Sequence, residues 1–298
     1  MAGLPSSVTV VEVGPRDGLQ NEAAPVSTDT KVAFIDQLTA SGLREIEVSA
    51  FVSPKWVPQL SDAEEVFRRI RRRPDTRYSA LVPNMAGLER AIAAQVTDVA
   101  IFAAASETFS RRNTNRSIDE SFVTYGEVTR AAIDAGLRVR GYLSTSFGCP
   151  FEGAVPQDRV IDLTRRLLDL GVYEVAVSDT IGVAHPGQVR AMLPAMLTII
   201  PASRIALHFH DTRGTALANV LAALDLGIAT FDASAGGLGG CPYAPRATGN
   251  LATEDLLYML NGLGVDTGVK IDMVSDAARA IAPALGHALP SRYTQARS

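Results

Sequence analysis

This sequence of 298 residues contains few cysteines, no long apolar run and no excess of positive charge. Its only two cysteines are Cys149 and Cys241, which excludes a disulfide framework and favours a reducing compartment. No stretch approaches the ~18 apolar residues that a membrane helix needs, and the longest candidate, 191–200, is interrupted by Pro194. The formal net charge is −4, so the chain lacks the basic field that attracts nucleic acid.

The beginning of the chain and its composition further limit the class of protein and its cellular compartment. The first residues, MAGLPSS, leave no room for a signal or transit peptide before the first strand-like run. We therefore expect a cytoplasmic enzyme, or a mature form whose targeting segment is missing, with neither membrane nor nucleic acid as a partner. Hydrophobic residues make up 47% and charged residues 20%, as in ordinary folded domains that bury a large core.

Short β-branched runs alternate with longer helical patterns along the whole chain. The predicted strands are 8–13, 45–48, 78–82, 96–102, 138–143, 173–177, 205–209 and 230–234. The predicted helices between and after them are 28–41, 62–72, 86–95, 119–135, 157–170, 187–200, 215–226 and 253–263. Such alternation indicates parallel strands joined by helical crossovers.

Eight strand–helix units in this length favour closure into a TIM (β/α)₈ barrel. An open doubly wound sheet is the alternative, but the segment GPRDG at 14–18, after the first strand, is not a dinucleotide fingerprint. We expect one catalytic domain, with the barrel over about 8–264. A C-terminal helical extension over about 265–298 would contain a helix near 271–285 and pack on the barrel exterior.

Unusual polar residues collect at the carboxyl ends of the predicted strands, where barrel enzymes have their active sites. Arg16 and Asp17 follow the first strand, Glu47 lies near the end of the second, and Asp179 follows the sixth. Further candidates at this face belong to the seventh strand and to the segment after the eighth: His208, His210, Cys241, Asn250 and Glu254.

His208 and His210 are the strongest single signal. Their spacing on a strand points both imidazoles to one side, while Leu207 and Phe209 point toward the helices. A lone core histidine is usually structural, but a pair on one face at the catalytic end indicates a metal site. Asp17 could add a carboxylate ligand and Asn250 an amide oxygen. Mixed nitrogen and oxygen ligands suit Mg²⁺, Mn²⁺, Co²⁺ or Zn²⁺.

Two further features on this face have both a functional and a structural interpretation. Cys241 ends the glycine-rich segment GGLGGC at 236–241, which predicts either a catalytic thiol on a closing loop or an incidental thiol in a tight turn. Lys55, Arg111, Arg112 and Arg116 either meet the phosphates of a bulky carrier such as coenzyme A or form an exposed basic rim.

Long motifs along the chain resemble those of the 3-hydroxy-3-methylglutaryl-CoA lyases. They are GPRDGLQNE at 14–22, FVSPKWVPQ at 51–59, DTIG at 179–182, HFHDT at 208–212, GGLGGCPYAP at 236–245 and TGNLATED at 248–255. The resemblance covers about 8–269. Isopropylmalate and homocitrate synthases, in the same TIM-barrel lyase and synthase superfamily, share the Arg-Asp and His-x-His features but resemble this chain less around GGLGGCPYAP.

The resemblance implies a metal-dependent carbon–carbon lyase of leucine degradation and ketone-body metabolism that yields acetyl-CoA and acetoacetate. Asp17, His208, His210 and Asn250 would hold the cation, with Mg²⁺ or Mn²⁺ ahead of Co²⁺ or Zn²⁺. Arg16 would stabilise the enolate oxygen, and Glu47 would organise the metal and Arg16. Asp179 or His208 would take part in removing the proton of the substrate hydroxyl, and Cys241 would donate a proton to the departing carbanion. Glu254 is a further motif position without an assigned role. Arg16, Gln20 and Lys55 would bind the acyl-CoA substrate, and we expect a homo-oligomer, dimeric or larger.

Two other functions fit the same residues. One is cleavage of a related 3-hydroxyacyl-CoA, or a Claisen-type condensation with a 2-oxo acid, because both use the same cation and enolate chemistry. The other is a metal-binding barrel without turnover, which an intact set of catalytic residues disfavours. A cysteine-protease-like nucleophile has no supporting triad in the sequence.

Overall fold

Eight parallel strands form a closed barrel in the computed structural model, which describes residues 3–23, 25–240 and 249–297. Each strand pairs with its neighbour in sequence, and β1 pairs with β8 to close the ring. The strands are β1 (Thr9–Glu12), β2 (Glu45–Ala50), β3 (Arg77–Leu81), β4 (Asp98–Ala104), β5 (Arg138–Ser144), β6 (Val175–Asp179), β7 (Ile205–Phe209) and β8 (Thr230–Ala233). The predicted TIM barrel is confirmed.

Helices surround the barrel and continue past it toward the C-terminus. They are α1 (Thr28–Ala40), α2 (Ala63–Arg69), α3 (Met85–Ala93), α4 (Glu107–Thr114), α5 (Ile118–Asp134), α6 (Gln157–Asp169), α7 (Pro186–Leu197), α8 (Ala216–Leu224), α9 (Thr253–Gly262), α10 (Ile271–Leu285) and α11 (Arg292–Ala296). Helix α10 packs on α1 and α9, so the expected exterior position of this C-terminal helix is confirmed. Within the described residues, no helix is both long and apolar enough to span a bilayer.

Local sequence explains where individual helices begin and which face they bury. Helix α5 begins with a capping box, in which the Ser117 hydroxyl accepts from the Glu120 amide and the Glu120 carboxylate accepts from the Ser117 amide. Helix α6 buries Val160, Leu163 and Leu167, which the 3.6-residue period places on one face. These helices therefore present one apolar stripe each to the barrel wall.

The main core lies between the strands and the helices, and the barrel interior is filled differently. Outward-facing strand residues such as Val175, Val177 and Leu207 belong to the main core. A smaller interior cluster is built around Ala50, Leu81, Ala100, Tyr142, Ala176 and Ala206. Because several of these side chains are alanine, the interior leaves room for larger polar side chains from neighbouring strand positions.

The structure adds short elements that the sequence pattern did not predict. Helix α4 follows β4, helix α11 lies near the C-terminus, and a one-turn π-helix over Gly14–Gly18 follows β1. Predicted boundaries differ by up to three residues, as at α2, predicted over 62–72 and found over Ala63–Arg69. The π-turn matters most, because it carries the Arg-Asp pair directly to the barrel mouth.

Candidate active site

A cavity of about 570 Å³ opens at the carboxyl ends of the barrel strands. Its floor includes the four polar residues Arg16, Asp17, His208 and His210. Apolar and aromatic side chains also line the cavity, among them Val52, Leu81, Phe102 and Tyr142. The sequence placed the candidate site at this face, and the structure brings its main residues together there.

Asp17, His208 and His210 form a compact group that could hold a metal ion. One ligand atom from each lies within 4.8 Å of the other two. His208 is the fourth residue of β7 and His210 follows the strand, and their ring centroids are 5.2 Å apart. Asn250 joins the group through its amide nitrogen, which donates to Asp17 Oδ2 at 2.9 Å and to the Leu238 carbonyl oxygen at 3.0 Å.

Unpartnered buried atoms show that this group fits a cation. Among the described residues, Nδ1 of His210, Oδ1 of Asn250 and Oε1 of Glu47 are buried without a hydrogen-bond partner. Leaving such atoms unsatisfied costs roughly 1–3 kcal/mol each. A cation that takes electron pairs from the imidazole nitrogen and the amide oxygen would remove much of this cost. The donor set of one carboxylate, two imidazoles and one amide suits a divalent ion.

Arg16 is held rigidly beside the metal-binding group. Its Nε donates to Glu47 Oε2 at 2.5 Å, and its Nη1 donates to Asp17 Oδ1 at 2.5 Å. The guanidinium lies over the Tyr142 ring, 5.4 Å from the centroid. Although burial alone would lower the pKa of Arg16, the charges of Glu47 and Asp17 raise it further above its usual value. Arg16 is therefore a permanent, oriented cation on the cavity floor.

The charges of the site also set the protonation of the ligand group. Burial would raise the pKa of Asp17, but the charges of Arg16, His208 and His210 bring it down to about 2. Burial and the neighbouring His208 lower the pKa of His210 to about 4. Both shifts favour the ligand forms, a carboxylate and a neutral imidazole, at neutral pH.

Asp179 and Glu254 occupy supporting positions. The two carboxylate oxygens of Asp179 accept the amides of Val183 and Ala184 at 2.9 Å, which fixes the turn after β6. Glu254 accepts the Gly236 amide at 2.9 and 3.0 Å and the Thr294 hydroxyl at 3.0 Å. Neither Asp179 nor Glu254 is among the described residues that line the cavity.

Several of the predicted substrate-binding residues line the cavity. Gln20, Arg112 and Arg116 line the cavity, and Arg112 stacks on the Phe151 ring, 4.2 Å from its centroid. Lys55 is exposed beside Trp56, which also lines the cavity and is 82% exposed. Cys241 lies outside the described residues; the description of this segment ends at Gly240, which lines the cavity.

Sequence reasoning missed a group of buried charges inside the barrel. Arg140 and Tyr142 of β5 and Asp232 of β8 lie beneath the histidines, with Glu174 next to Arg140. The sequence does contain a signal for this group, because Arg140 and Asp232 are charged residues within predicted strands. The alternation of strand side chains could direct both of them into the barrel. Their mutual contacts depend on strand register, which the sequence does not reveal.

The fold and the site together define a (β/α)₈ barrel with a metal-binding group and an oriented arginine at the carboxyl ends of its strands. A model of the HMGL-like family matches residues 7–281, and the chain belongs to this family. The family expected from the sequence motifs is thereby confirmed.

Individual relatives agree with this assignment over nearly their whole length. The hydroxymethylglutaryl-CoA lyase YngG of Bacillus subtilis (strain 168) is 50% identical over 291 residues, which cover 98% of this chain and 97% of that protein. The crystal structure of hydroxymethylglutaryl-CoA lyase from Pseudomonas aeruginosa superposes with a TM-score of 0.97 at 50% identity, covering 99% and 98% of the two chains. An HMG-CoA lyase from Acinetobacter baumannii, solved with coenzyme A and 3-methylmalate, has a TM-score of 0.94 at 40% identity, covering 99% and 97%.

Proposed function

We propose that this protein is a hydroxymethylglutaryl-CoA lyase, which cleaves 3-hydroxy-3-methylglutaryl-CoA to acetyl-CoA and acetoacetate. The observation that carries the proposal is the placement of Arg16 against Asp17, in the same cavity floor as His208 and His210. About 50% identity to proteins of that name over almost the whole chain supports the substrate. The reaction breaks the C2–C3 bond, turns C3 into the ketone of acetoacetate and leaves an enolate of acetyl-CoA.

A divalent cation would be held by Asp17, His208, His210 and Asn250, with Mg²⁺ or Mn²⁺ preferred over Co²⁺ or Zn²⁺. When bound, such an ion lowers the pKa of the substrate hydroxyl and orients the substrate carboxylate. The unpartnered atoms of His210 and Asn250 support this ligand set. Both residues are buried.

Arg16 would stabilise the negative charge that develops on the thioester oxygen as the enolate forms. Because this charge is absent from the bound substrate, the guanidinium stabilises the transition state more than the ground state. Glu47 holds Nε of Arg16, and the Tyr142 ring lies against the guanidinium, which together keep it in place without reorganisation. Glu47 thereby acts on the reaction through Arg16.

Two proton transfers complete the reaction. His208 or Asp179 would accept the proton of the substrate hydroxyl, His208 only while its Nε2 is not bound to the cation; His208 lines the cavity, whereas both Asp179 oxygens accept backbone amides. Cys241 would donate a proton to the departing carbon, since a thiol with a pKa of about 8.5 is mostly protonated at neutral pH. Glu254 would support this step from a distance, because it anchors the amide of Gly236 at the beginning of the segment that leads to Cys241.

The coenzyme A portion would lie along the cavity mouth. Gln20, Arg112 and Arg116 line the cavity and supply polar and cationic groups, exposed Trp56 offers an aromatic face, and exposed Lys55 precedes Trp56 in the chain. The Acinetobacter baumannii relative was solved with coenzyme A, which supports an acyl-CoA ligand of this chain. An arginine on an aromatic ring, as Arg112 is on Phe151, is preorganised for phosphate contact.

The cellular setting follows from the proposed reaction. Acetoacetate is a ketone body, and the substrate arises in leucine degradation, so we place the enzyme in those processes. We propose a cytoplasmic location. The low cysteine content supports a reducing compartment. The homo-oligomer expected from the sequence stays a prediction, which light scattering after gel filtration would measure.

One assay tests the proposed function. Purified protein is stripped with a chelator, then supplied with Mg²⁺ or Mn²⁺, and acetoacetate is measured from 3-hydroxy-3-methylglutaryl-CoA. We expect no turnover after stripping and full recovery with the ion. Acetyl-CoA with a 2-oxo acid and other 3-hydroxyacyl-CoA thioesters serve as comparison substrates. Full activity in the metal-free protein, or faster turnover of a comparison substrate, would contradict the proposal.

A further inference from the structure

A buried carboxylate lies directly behind His208, on the side away from the metal-binding group. Nδ1 of His208 is 3.1 Å from Oδ2 of Asp232, whereas Nε2 faces Oδ2 of Asp17 at 4.0 Å. The side chain of Asp232 is completely shielded from solvent. The contact follows from strand register, because His208 of β7 stands opposite Asp232 of β8 in the parallel pair.

Asp232 is itself fixed by a second layer of buried charge. Arg140 donates Nη2 to Asp232 Oδ1 at 2.7 Å and Nη1 to Asp232 Oδ2 at 3.2 Å. The same guanidinium donates Nε to Glu174 at 2.9 Å and Nη1 to the Tyr142 hydroxyl at 3.0 Å. A carboxylate held on both oxygens by one arginine has a fixed plane and stays ionised, so it accepts hydrogen bonds and donates none.

We propose that Asp232 is a positioning residue that fixes the tautomer and the ring orientation of His208, with Arg140 holding Asp232 in place. An ionised Asp232 requires the proton on Nδ1 of His208, which leaves the electron pair of Nε2 directed toward Asp17 and the cavity. That arrangement suits either role of His208, cation ligand or proton acceptor. Histidines that bind metals commonly donate their other ring N–H to a carboxylate, which orients the ring and raises its basicity.

The inference rests on the proposed cation site, but it adds a claim that the site alone does not require, namely that cation affinity depends on Asp232. A purely structural Arg140–Asp232 pair would predict that variants lose stability while the surviving folded protein binds the cation normally. A positioning role predicts a change in the imidazole tautomer and in cation affinity. These readouts separate the two explanations, because neither depends on the amount of folded protein.

The first experiment needs no variant. Long-range ¹H–¹⁵N spectra of the metal-free protein at about pH 9, where histidines are neutral, distinguish the ring nitrogen that carries the proton. We expect His208 to be protonated at Nδ1, and the signals of the four histidines are assigned by removing each histidine in turn. A His208 protonated at Nε2 would overturn the proposal, whatever the fate of any variant.

The second experiment compares Asp232→Asn with a matched control, Asp98→Asn. Asp98 is also a buried strand aspartate paired with an arginine, Arg138, at 3.3 Å, but it belongs to the opposite end of the barrel. For Asp232→Asn we expect a mixture of His208 tautomers and a 10–100-fold weaker Mn²⁺ affinity by titration calorimetry. The Asp98→Asn protein should match the wild type in both measurements.

The outcomes also separate this inference from the proposed function. If the wild-type protein binds no Mn²⁺, the proposed cation site fails, although the wild-type tautomer still tests the role of Asp232. If the wild type binds Mn²⁺ and Asp232→Asn binds it equally well with an unchanged tautomer, the positioning role is wrong and the site stands. An equal loss in Asp98→Asn would also overturn the inference, because it would show a general effect of buried carboxylates.

Discussion

The Asn250 amide nitrogen donates a 2.9 Å hydrogen bond to Oδ2 of Asp17, which links the segment after β8 to the segment after β1, its neighbour in the barrel. The same nitrogen donates to the Leu238 carbonyl oxygen, so both amide protons are used and the orientation of the amide is fixed. Gly239 permits this close packing, because a Cβ there would lie 2.6 Å from the Asn250 nitrogen. The unpartnered amide oxygen is consequently available to a cation.

Replacing Asn250 by alanine should weaken cation binding. The change removes one proposed oxygen ligand and frees Asp17 from its amide partner, so we expect roughly a 10-fold higher Kd for Mn²⁺, about 1.4 kcal/mol. Titration calorimetry on the folded protein measures it. Asn219→Ala is the matched control, because Asn219 is equally buried, also has an unpartnered amide oxygen and belongs to α8. Equal Mn²⁺ affinity in the two variants would remove Asn250 from the ligand set.

Replacing Arg16 by methionine should reduce turnover more than substrate binding. Methionine fills much of the same volume beside Tyr142 but provides no charge for the enolate oxygen. Loss of such a donor typically costs roughly 3–4 kcal/mol, or about 10²–10³ in kcat. Steady-state kinetics should show the loss mainly in kcat, with a smaller change in KM. The exposed Arg68→Met serves as the control, and native turnover of Arg16→Met would mean that another group stabilises the enolate.

Replacing Cys241 by alanine should abolish most turnover while Mn²⁺ affinity stays at the native value. The proposed thiol donates a proton after the carbon–carbon bond breaks, so its loss affects the chemistry and not the cation ligands. Cys149→Ala is the matched control, because the Cys149 thiol is buried against the Ser106 hydroxyl at 2.9 Å, away from the metal-binding group. A Cys241→Ala enzyme with native kcat would exclude the thiol as the proton donor.

The sequence predicted the parts of the site that depend on local periodicity. The i, i+2 spacing of His208 and His210 was enough to place both imidazoles in the barrel mouth, because strand side chains alternate. The position of Arg16 and Asp17 after the first strand placed them at the same face. These residues could be assigned to one rim before their mutual distances were known.

Contacts between distant strands could not be predicted in the same way. His208 meets Asp232 because β7 and β8 pair in one particular register, and a shift of one residue would turn Asp232 to the other face. Arg140 reaches Asp232 across the barrel interior, a distance set by barrel closure. The role of Glu254 stayed open in the sequence for the same reason, since its partner Thr294 lies 40 residues further along the chain.

Glu254 should make the stability of the protein depend on pH in a defined direction. Burial raises the pKa of this carboxyl from 4.5 to about 7, so between these values the folded state binds a proton that the unfolded state releases. The resulting stabilisation is full below pH 4.5 and is lost as the pH rises to about 7. A shift of this size corresponds to on the order of 3 kcal/mol in the free energy of unfolding.

The variant Glu254→Gln should remove this dependence, because glutamine is neutral at every pH. With its amide oxygen in the place of Oε2, glutamine can still accept from Gly236, and its amide nitrogen in the place of Oε1 can donate to the Thr294 hydroxyl. We expect the variant and the wild type to be similarly stable in urea near pH 5, and the variant to be more stable near pH 8 by up to about 3 kcal/mol. Burial also raises the pKa of Glu12 to about 7, and the charge of Glu254 adds to this increase, so the variant should make Glu12 easier to ionise as well and change stability in the same direction. The control is Glu89→Gln, at an exposed position, which should be as stable as the wild type at both pH values. If the stability difference between Glu254→Gln and the wild type does not grow with pH, Glu254 is ionised in the folded protein without cost.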